Sequence, residues 1–209
     1  MRDIDPAMLN ALMAAPRAGL IPRRLAWFVA KNRDTGATAE AGVWTGSEDL
    51  NISVVSGTTL QVVSRPYIGG LALESIGDIP RTSDFTVQTV SVNLSQLASA
   101  AQQLFRQYDL RMAQVEIHEV LIDPITRNQI APAQIVMLGR VDGAPVKTPR
   151  RGETGSVVVK VVSDVMSMLT RKNPRKSSHQ GQMVRQNDQW GKDSAVVSTW
   201  KIPWGQKSA

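Results

Sequence analysis

From residue 24 to residue 163, apolar residues come in short runs broken by Gly, Pro, Asn and Asp, the rhythm of antiparallel strands and turns. Leu25 to Ala30 is apolar at every position, which predicts a strand buried on both faces. Asn32-Arg33-Asp34-Thr35-Gly36 then has the chemistry of a hairpin turn, and Gly42 to Gly46 returns. Leu50–Val55 and Thr59–Val63 read as two further strands around Ser56-Gly57, followed by a glycine-broken loop at 65–70. Phe85, Val87, Val90 and Val92 alternate with a slip of one residue, as a β-bulge would cause. Arg111–Ile122, Ile135–Val141 and Gly155–Ser163 complete the strands, with turns at 123–128 and at Asp142-Gly143.

Helical periodicity occurs twice. Met8, Leu9, Leu12 and Met13 predict a short helix over 6–15, capped by Asp5, with Pro6 at its first position and with Pro16 and Pro22 closing it. Leu97, Ala98, Ala101, Leu104 and Phe105 form a stripe over Ser95–Gln107, the one internal helix expected. The fold class expected is therefore mainly β, a β-rich α+β chain built as an antiparallel barrel or sandwich and not as βαβ units. Its parts are an N-terminal helical arm (1–22), a β-barrel core (23–170) and a basic, polar C-terminal arm (171–209). Residues 171–193 read as a polar arm and 194–204 as a terminal strand.

Composition changes this picture in several places. The 209 residues are 42% apolar and 20% charged, ordinary for a globular chain, so wholesale disorder is excluded. Five of the aromatic residues are tryptophans, and Trp190, Trp200 and Trp204 crowd the end of the chain, which is therefore expected to dock against something. The net charge of +6 allows nucleic acid, anionic lipid or an acidic protein as partner. With no cysteine, disulfides, thiolate metal sites and cysteine nucleophiles are excluded. The start of the chain is acidic and polar, unlike a secretory signal, and no apolar run approaches the roughly 20 residues of a membrane span. No membrane anchor is expected.

Catalytic chemistry is sparsely represented. The two histidines are His118, between Glu116 and Glu119 in a predicted strand, and His179 beside Ser177 and Ser178. Strand alternation puts Glu116 and His118 on one face. A solvated strand face is the ordinary reading there, and a pH-tuned pair the alternative. Glu116 and Glu119 could act as paired carboxylates only across a bulge. A Ser–His dyad at 177–179 would need a rigidity that a polar arm does not supply. Asp78, Asp84, Asp109 and Asp123 have the placement of turn and cap residues, and no metal-spaced cluster or cofactor motif is present. Gly69-Gly70 lacks the Lys-Ser/Thr of a phosphate loop. No catalytic, cofactor or metal residue is expected.

Arg171, Lys172, Arg175, Lys176, Arg185 and Lys192 form a positive stretch without a recognition motif or a row of stacking aromatics. That permits weak, salt-sensitive contact with DNA but not sequence reading.

Asn32 to Gly36, Gly42-Val43-Trp44-Thr45-Gly46-Ser47-Glu48-Asp49-Leu50 and Tyr67-Ile68-Gly69-Gly70 together resemble the opening of tail-tip (baseplate) proteins of long-tailed bacteriophages. The end, Leu169-Thr170-Arg171 through Ser177-Ser178, Gln182, Arg185 and Asp188, is similar to the arm that closes such proteins. The resemblance implies a barrel related to the tail-tube fold and a structural virion protein, assembled in the host cytoplasm. It would be a ring of three or six copies joining the tail tube to the central hub, of the distal-tail or hub-adaptor type. Some hub components of this kind carry a cysteine-ligated metal cluster, which a chain without cysteine does not. Assembly-interface candidates are Trp44, Tyr67, Arg171, Lys172, Arg175, Lys176, Arg185, Trp190, Trp200 and Trp204. The competing readings are a basic nucleic-acid-binding module using residues 171–192 and a small hydrolase centred on Glu116 and His118.

Overall fold

The computed structural model describes residues 5–80, 86–96, 98, 102, 106–145, 155–170, 178–194, 196–201 and 205. The chain divides into two compact units, Met1–Leu169 and Thr170–Ala209.

The first unit opens with helix Pro6–Ala18, three residues longer than its periodicity predicts. Asp5 Oδ1 accepts the Ala7 N–H at 2.8 Å, as a cap should. Pro16 does not end the helix. It lies in the last turn, where one hydrogen bond is lost, and Gly19 then closes the helix with φ 78° and an N–H donated to Ala15. Pro22 is likewise no break. It sits in β1 (Ile21–Asn32) at a point where β1 is paired with a neighbour on one side only, so its missing N–H costs the ladder little.

Eight more strands follow: β2 (Thr38–Trp44), β3 (Leu50–Val55), β4 (Val62–Tyr67), β5 (Leu73–Ile76), β6 (Thr89–Ser95), β7 (Tyr108–Ile122), β8 (Gln134–Gly143) and β9 (Ser156–Ser163). Seven of the nine strands make an antiparallel sheet in the order β2-β1-β7-β8-β9-β6-β5, and β3 and β4 make a separate two-stranded sheet. The protein is mainly β, and its large sheet curls into a half-barrel. Arg24 Nη1 on β1 reaches the carbonyls of Ile76 and Gly77 at the end of β5, at 3.4 and 3.1 Å, joining parts of the sheet that lie far apart in the strand order.

Several expected boundaries move. Residues 65–67 belong to β4 and not to a loop, because 56–61 forms the turn: Ser56 and Gln61 pair at 2.9 Å, which leaves Thr59 outside the strand. Strand β5 and the helix Val165–Thr170 were not predicted. Val87 precedes β6 and is exposed, and Phe85 lies outside the described residues, so the expected bulge is absent from β6. Ser95 ends a strand and does not start a helix. Most of 96–107 lies outside the described residues, although Gln102 and Arg106 are helical and the Gln102 N–H donates to Ala98 at 3.0 Å.

Two apolar clusters fill the unit. Alternate residues of β1 serve each: Ala26 and Phe28 join Val90, Val92, Leu94, Val115, Ile117, Val157, Val159 and Val161 in the first. Leu25 and Trp27 join Trp44, Ile52, Val54, Tyr67, Val120 and Ala133 in the second. That is why β1 reads as apolar throughout. The second cluster lies where the β3–β4 hairpin covers the sheet, and nothing from residues 50–67 enters the first.

Gly42 is where hairpin and sheet come closest. Its carbonyl accepts the Ile68 N–H at 2.9 Å, and a Cβ there would meet the Trp27 ring at 2.7 Å and the Pro66 carbonyl at 2.6 Å. Gly42→Ala is expected to destabilise the protein by about 1–3 kcal/mol, the range for overpacking a close-packed site. The check is a lower denaturant midpoint with an unchanged slope.

Candidate functional site

The pairing of β1 with β7 sets Trp27 opposite Glu116 and Leu25 opposite His118, on the face that the β3–β4 hairpin covers. Along β4, Val63, Arg65 and Tyr67 alternate inward, so Arg65 enters from the hairpin side. The outcome is a buried charge cluster. Arg65 Nη1 donates to Glu116 Oε2 at 2.7 Å, and the two side chains are 14% and 1% exposed. The same oxygen accepts the Gly57 N–H at 3.0 Å. Arg65 Nη2 reaches Ser56 Oγ at 3.2 Å, and the guanidinium lies 4.8 Å from the centre of the Trp27 ring. Trp27 in turn meets Tyr67 edge-on at 5.5 Å. A Cβ at Gly57 would lie 2.4 Å from the Leu138 side chain and 3.1 Å from the Glu116 carboxyl carbon, so a side chain there would have to displace Leu138.

His118 completes the cluster from below. Its Nε2 lies 2.9 Å from the Val55 carbonyl and 3.6 Å from Glu116 Oε2. A carbonyl bonds only to a donor, so Nε2 carries the proton of the neutral ring and Nδ1 the lone pair. Nδ1 is buried with no hydrogen-bond partner, as is the Trp27 indole N–H. Burial lowers the His118 pKa, opposed in part by the Val55 bond and the Glu116 charge. On Arg65 burial works against the charge, but the hydrogen bond and charge of Glu116 outweigh it and the pKa rises. Burial lifts the Tyr67 hydroxyl well above the ordinary phenol range. The Arg65 guanidinium offsets part of this, at a geometry too poor to count as a hydrogen bond.

The solvated strand face expected around His118 is thus corrected. Glu116 and His118 are 1% and 0% exposed, because a hairpin distant in sequence packs over them. The His118 Nε2 is bound to a backbone carbonyl, and the ring is fully buried. The geometry is that of a structural tie between hairpin and sheet. Sequence reasoning missed Arg65 and Ser56. The available signal was Arg65 itself, an inward position between Val63 and Tyr67 in an alternating strand.

The interface candidates separate into three groups. Trp44 and Tyr67 are core residues, 4% and 1% exposed, and the Trp44 indole N–H donates to the Glu48 carbonyl at 2.7 Å. Their aromatic bulk serves the second apolar cluster, which corrects their expected place at a surface. Arg171, Lys172, Arg175, Lys176 and Trp204 lie outside the described residues. Arg185, Trp190 and Trp200 are exposed, the two indoles at 85% and 55%.

These last three belong to the second unit. It contains helix His179–Met183, capped by Ser178 Oγ accepting the Gly181 N–H at 3.2 Å, and a 3₁₀ turn, Val197–Thr199. That turn stands where a terminal strand over 194–204 was expected. Among its described residues only Gly191 is buried. Met183, Val184, Val196 and Val197 are exposed with the tryptophans. Of the 24 Lys and Arg, eight follow residue 169, against two of the 18 Asp and Glu. The whole formal charge of +6 therefore resides in this unit, and residues 1–169 balance.

Among the described residues no group of three or more His, Asp or Glu could hold a metal ion, and no helix is long and apolar enough to cross a membrane. No protein-family model matches the chain, and no match is found among curated proteins.

Proposed function

We propose that this chain is a structural assembly subunit, a ring component of a bacteriophage tail tip or baseplate that joins the tail tube to the central hub. The observation that carries the assembly reading is the second unit. Its described residues hold Trp190, Trp200 and four aliphatic side chains in solvent and bury only a glycine, so it has no apolar core of its own among them. Such a segment gains its stability by laying those side chains on a partner. In the first unit the Arg65–Glu116–His118 cluster is buried and ties the β3–β4 hairpin to the large sheet. The phage assignment adds the sequence resemblance at 32–36, 42–50, 67–70 and 169–188. Immunogold electron microscopy of particles from the source host tests it. Gold at the tail end distal to the capsid is the expected result, and unlabelled particles in a lysate that contains the soluble antigen overturn it.

The charge distribution favours a second reading, a basic module that binds nucleic acid through residues 171–192. It expects the logarithm of the binding constant for duplex DNA to fall roughly linearly with log salt, with a slope set by the number of phosphates neutralised, and binding to vanish when Arg171, Lys172, Arg175 and Lys176 are replaced by alanine. A fluorescence-anisotropy titration at three salt concentrations measures this. For the assembly reading the expected outcome is weak binding that is indifferent to Trp190→Ser and Trp200→Ser.

A further inference from the structure

The geometry points to a pH-operated latch: the Arg65–Glu116–His118 cluster holds the β3–β4 hairpin closed over the sheet while His118 is neutral, and protonation of His118 opens the hairpin without unfolding the half-barrel. This goes beyond the assembly reading and does not depend on it.

Three features carry it. The first is topology. β3 and β4 pair with each other through six register positions, Leu50↔Tyr67 to Val55↔Val62, and belong to no larger sheet. Their backbone ties to the rest of the unit are the isolated bridges Val43↔Ile68 and Val54↔Ala133 and the bonds between Ser53 and Gln129. The second is placement. The cluster ties the hairpin to β7 at the root of its turn: His118 Nε2 holds the Val55 carbonyl, and Glu116 holds both the Gly57 N–H and the Arg65 guanidinium, which also donates to Ser56 within the hairpin. The third is separation of the two apolar clusters. Lifting 50–67 exposes Trp27 and Trp44 and leaves the Val90, Ile117 and Val159 cluster intact.

The charges facing His118 set the direction. Glu116 beside it on β7 favours the imidazolium, and Arg65 on β4 opposes it. Tyr67, also on β4, is neutral at ordinary pH. The neighbours paired with His118 on either side, Leu25 of β1 and Ile135 of β8, carry no charge. A proton on Nδ1 would place a donor without an acceptor in a fully buried ring. Burial is the largest influence, and the folded pKa lies below the ordinary value of about 6.5. The stability contributed by the neutral, buried ring is therefore complete above that value and is lost as pH falls through the lower, folded one. Opening, which lets the ring take the proton in water, becomes about tenfold more favourable per pH unit in that window.

Hydrogen exchange on the full chain, read as protection factors at pH 7.5 and pH 5.0, tests the latch. The expected result is a loss of protection in 50–55 and 62–67 at pH 5.0, with 89–95 and 157–162 losing less than half as much on a logarithmic scale. In His118→Gln, whose amide can still donate to Val55, the hairpin should lose its pH dependence. An equal loss in both regions, no loss in the hairpin, or an unchanged loss in the variant overturns the proposal. Should the variant not fold, ¹⁵N side-chain NMR of the wild-type chain decides, because the chain has only two histidines. His118 is expected as the Nε2–H tautomer, titrating below about 6.5 together with hairpin opening. A normal titration, or one that leaves the hairpin amides unmoved, rules the latch out.

Discussion

Replacing Glu116 with alanine is expected to destabilise the protein by about 3–5 kcal/mol, the range for removing one member of a buried ion pair. The carboxylate is 1% exposed and its Oε2 accepts from both the Arg65 guanidinium and the Gly57 N–H. Alanine leaves the guanidinium without its counter-charge under the hairpin and the amide without an acceptor. The size of the loss would not measure what the pair contributes, because most of it is the desolvation of groups left behind. Joint replacement by Arg65→Met and Glu116→Leu should accordingly cost much less than the two single changes summed. Urea unfolding of the four proteins provides the cycle. A Glu116→Ala loss below about 1 kcal/mol, the range of an exposed pair, would show that the hairpin does not seal the cluster in solution.

The opposite pattern is expected at the end of the chain. Trp190→Ser with Trp200→Ser should change stability by no more than about 0.5 kcal/mol, since both rings already stand in solvent. If they are assembly anchors, each loss should cost about 2 kcal/mol or more of partner binding, roughly a thirtyfold drop in affinity. The double variant, supplied in trans to an infection that lacks the wild-type chain, should then be soluble, folded and missing from particles. Wild-type incorporation by the variant would remove Trp190 and Trp200 from the interface.

Sequence and structure part company along one physical line. Period-2 alternation and turn chemistry are local, so they made β3, the 32–36 turn and the mainly antiparallel β class legible. The Asn32 to Gly36 turn closes as its residues require, with Asn32 Oδ1 accepting from Asp34 and Gly36 at φ 68°. The continuous apolar run of β1 correctly signalled burial on both faces. Periodicity could not say what would lie on each face. His118 and Glu116 alternate like any polar pair on a wet strand, and only the packing of 50–67 over β7 turned that face into an interior. Trp44 and Tyr67 read as anchors for the same reason: aromatic bulk announces that a large surface will be covered, not by what.

What the sequence determined by itself is the strand rhythm, the capped N-terminal helix, the absence of thiol chemistry and the concentration of charge after residue 169, because each depends on neighbours within a few positions or on counting. The tertiary structure alone decided that Arg65, brought 51 residues along the chain, meets Glu116 at 2.7 Å. It also decided that His118 is sealed while Trp190 is not. Burial is a property of what packs on top of a residue, and that partner is set by long-range sheet pairing and not by the residue's own surroundings in the chain.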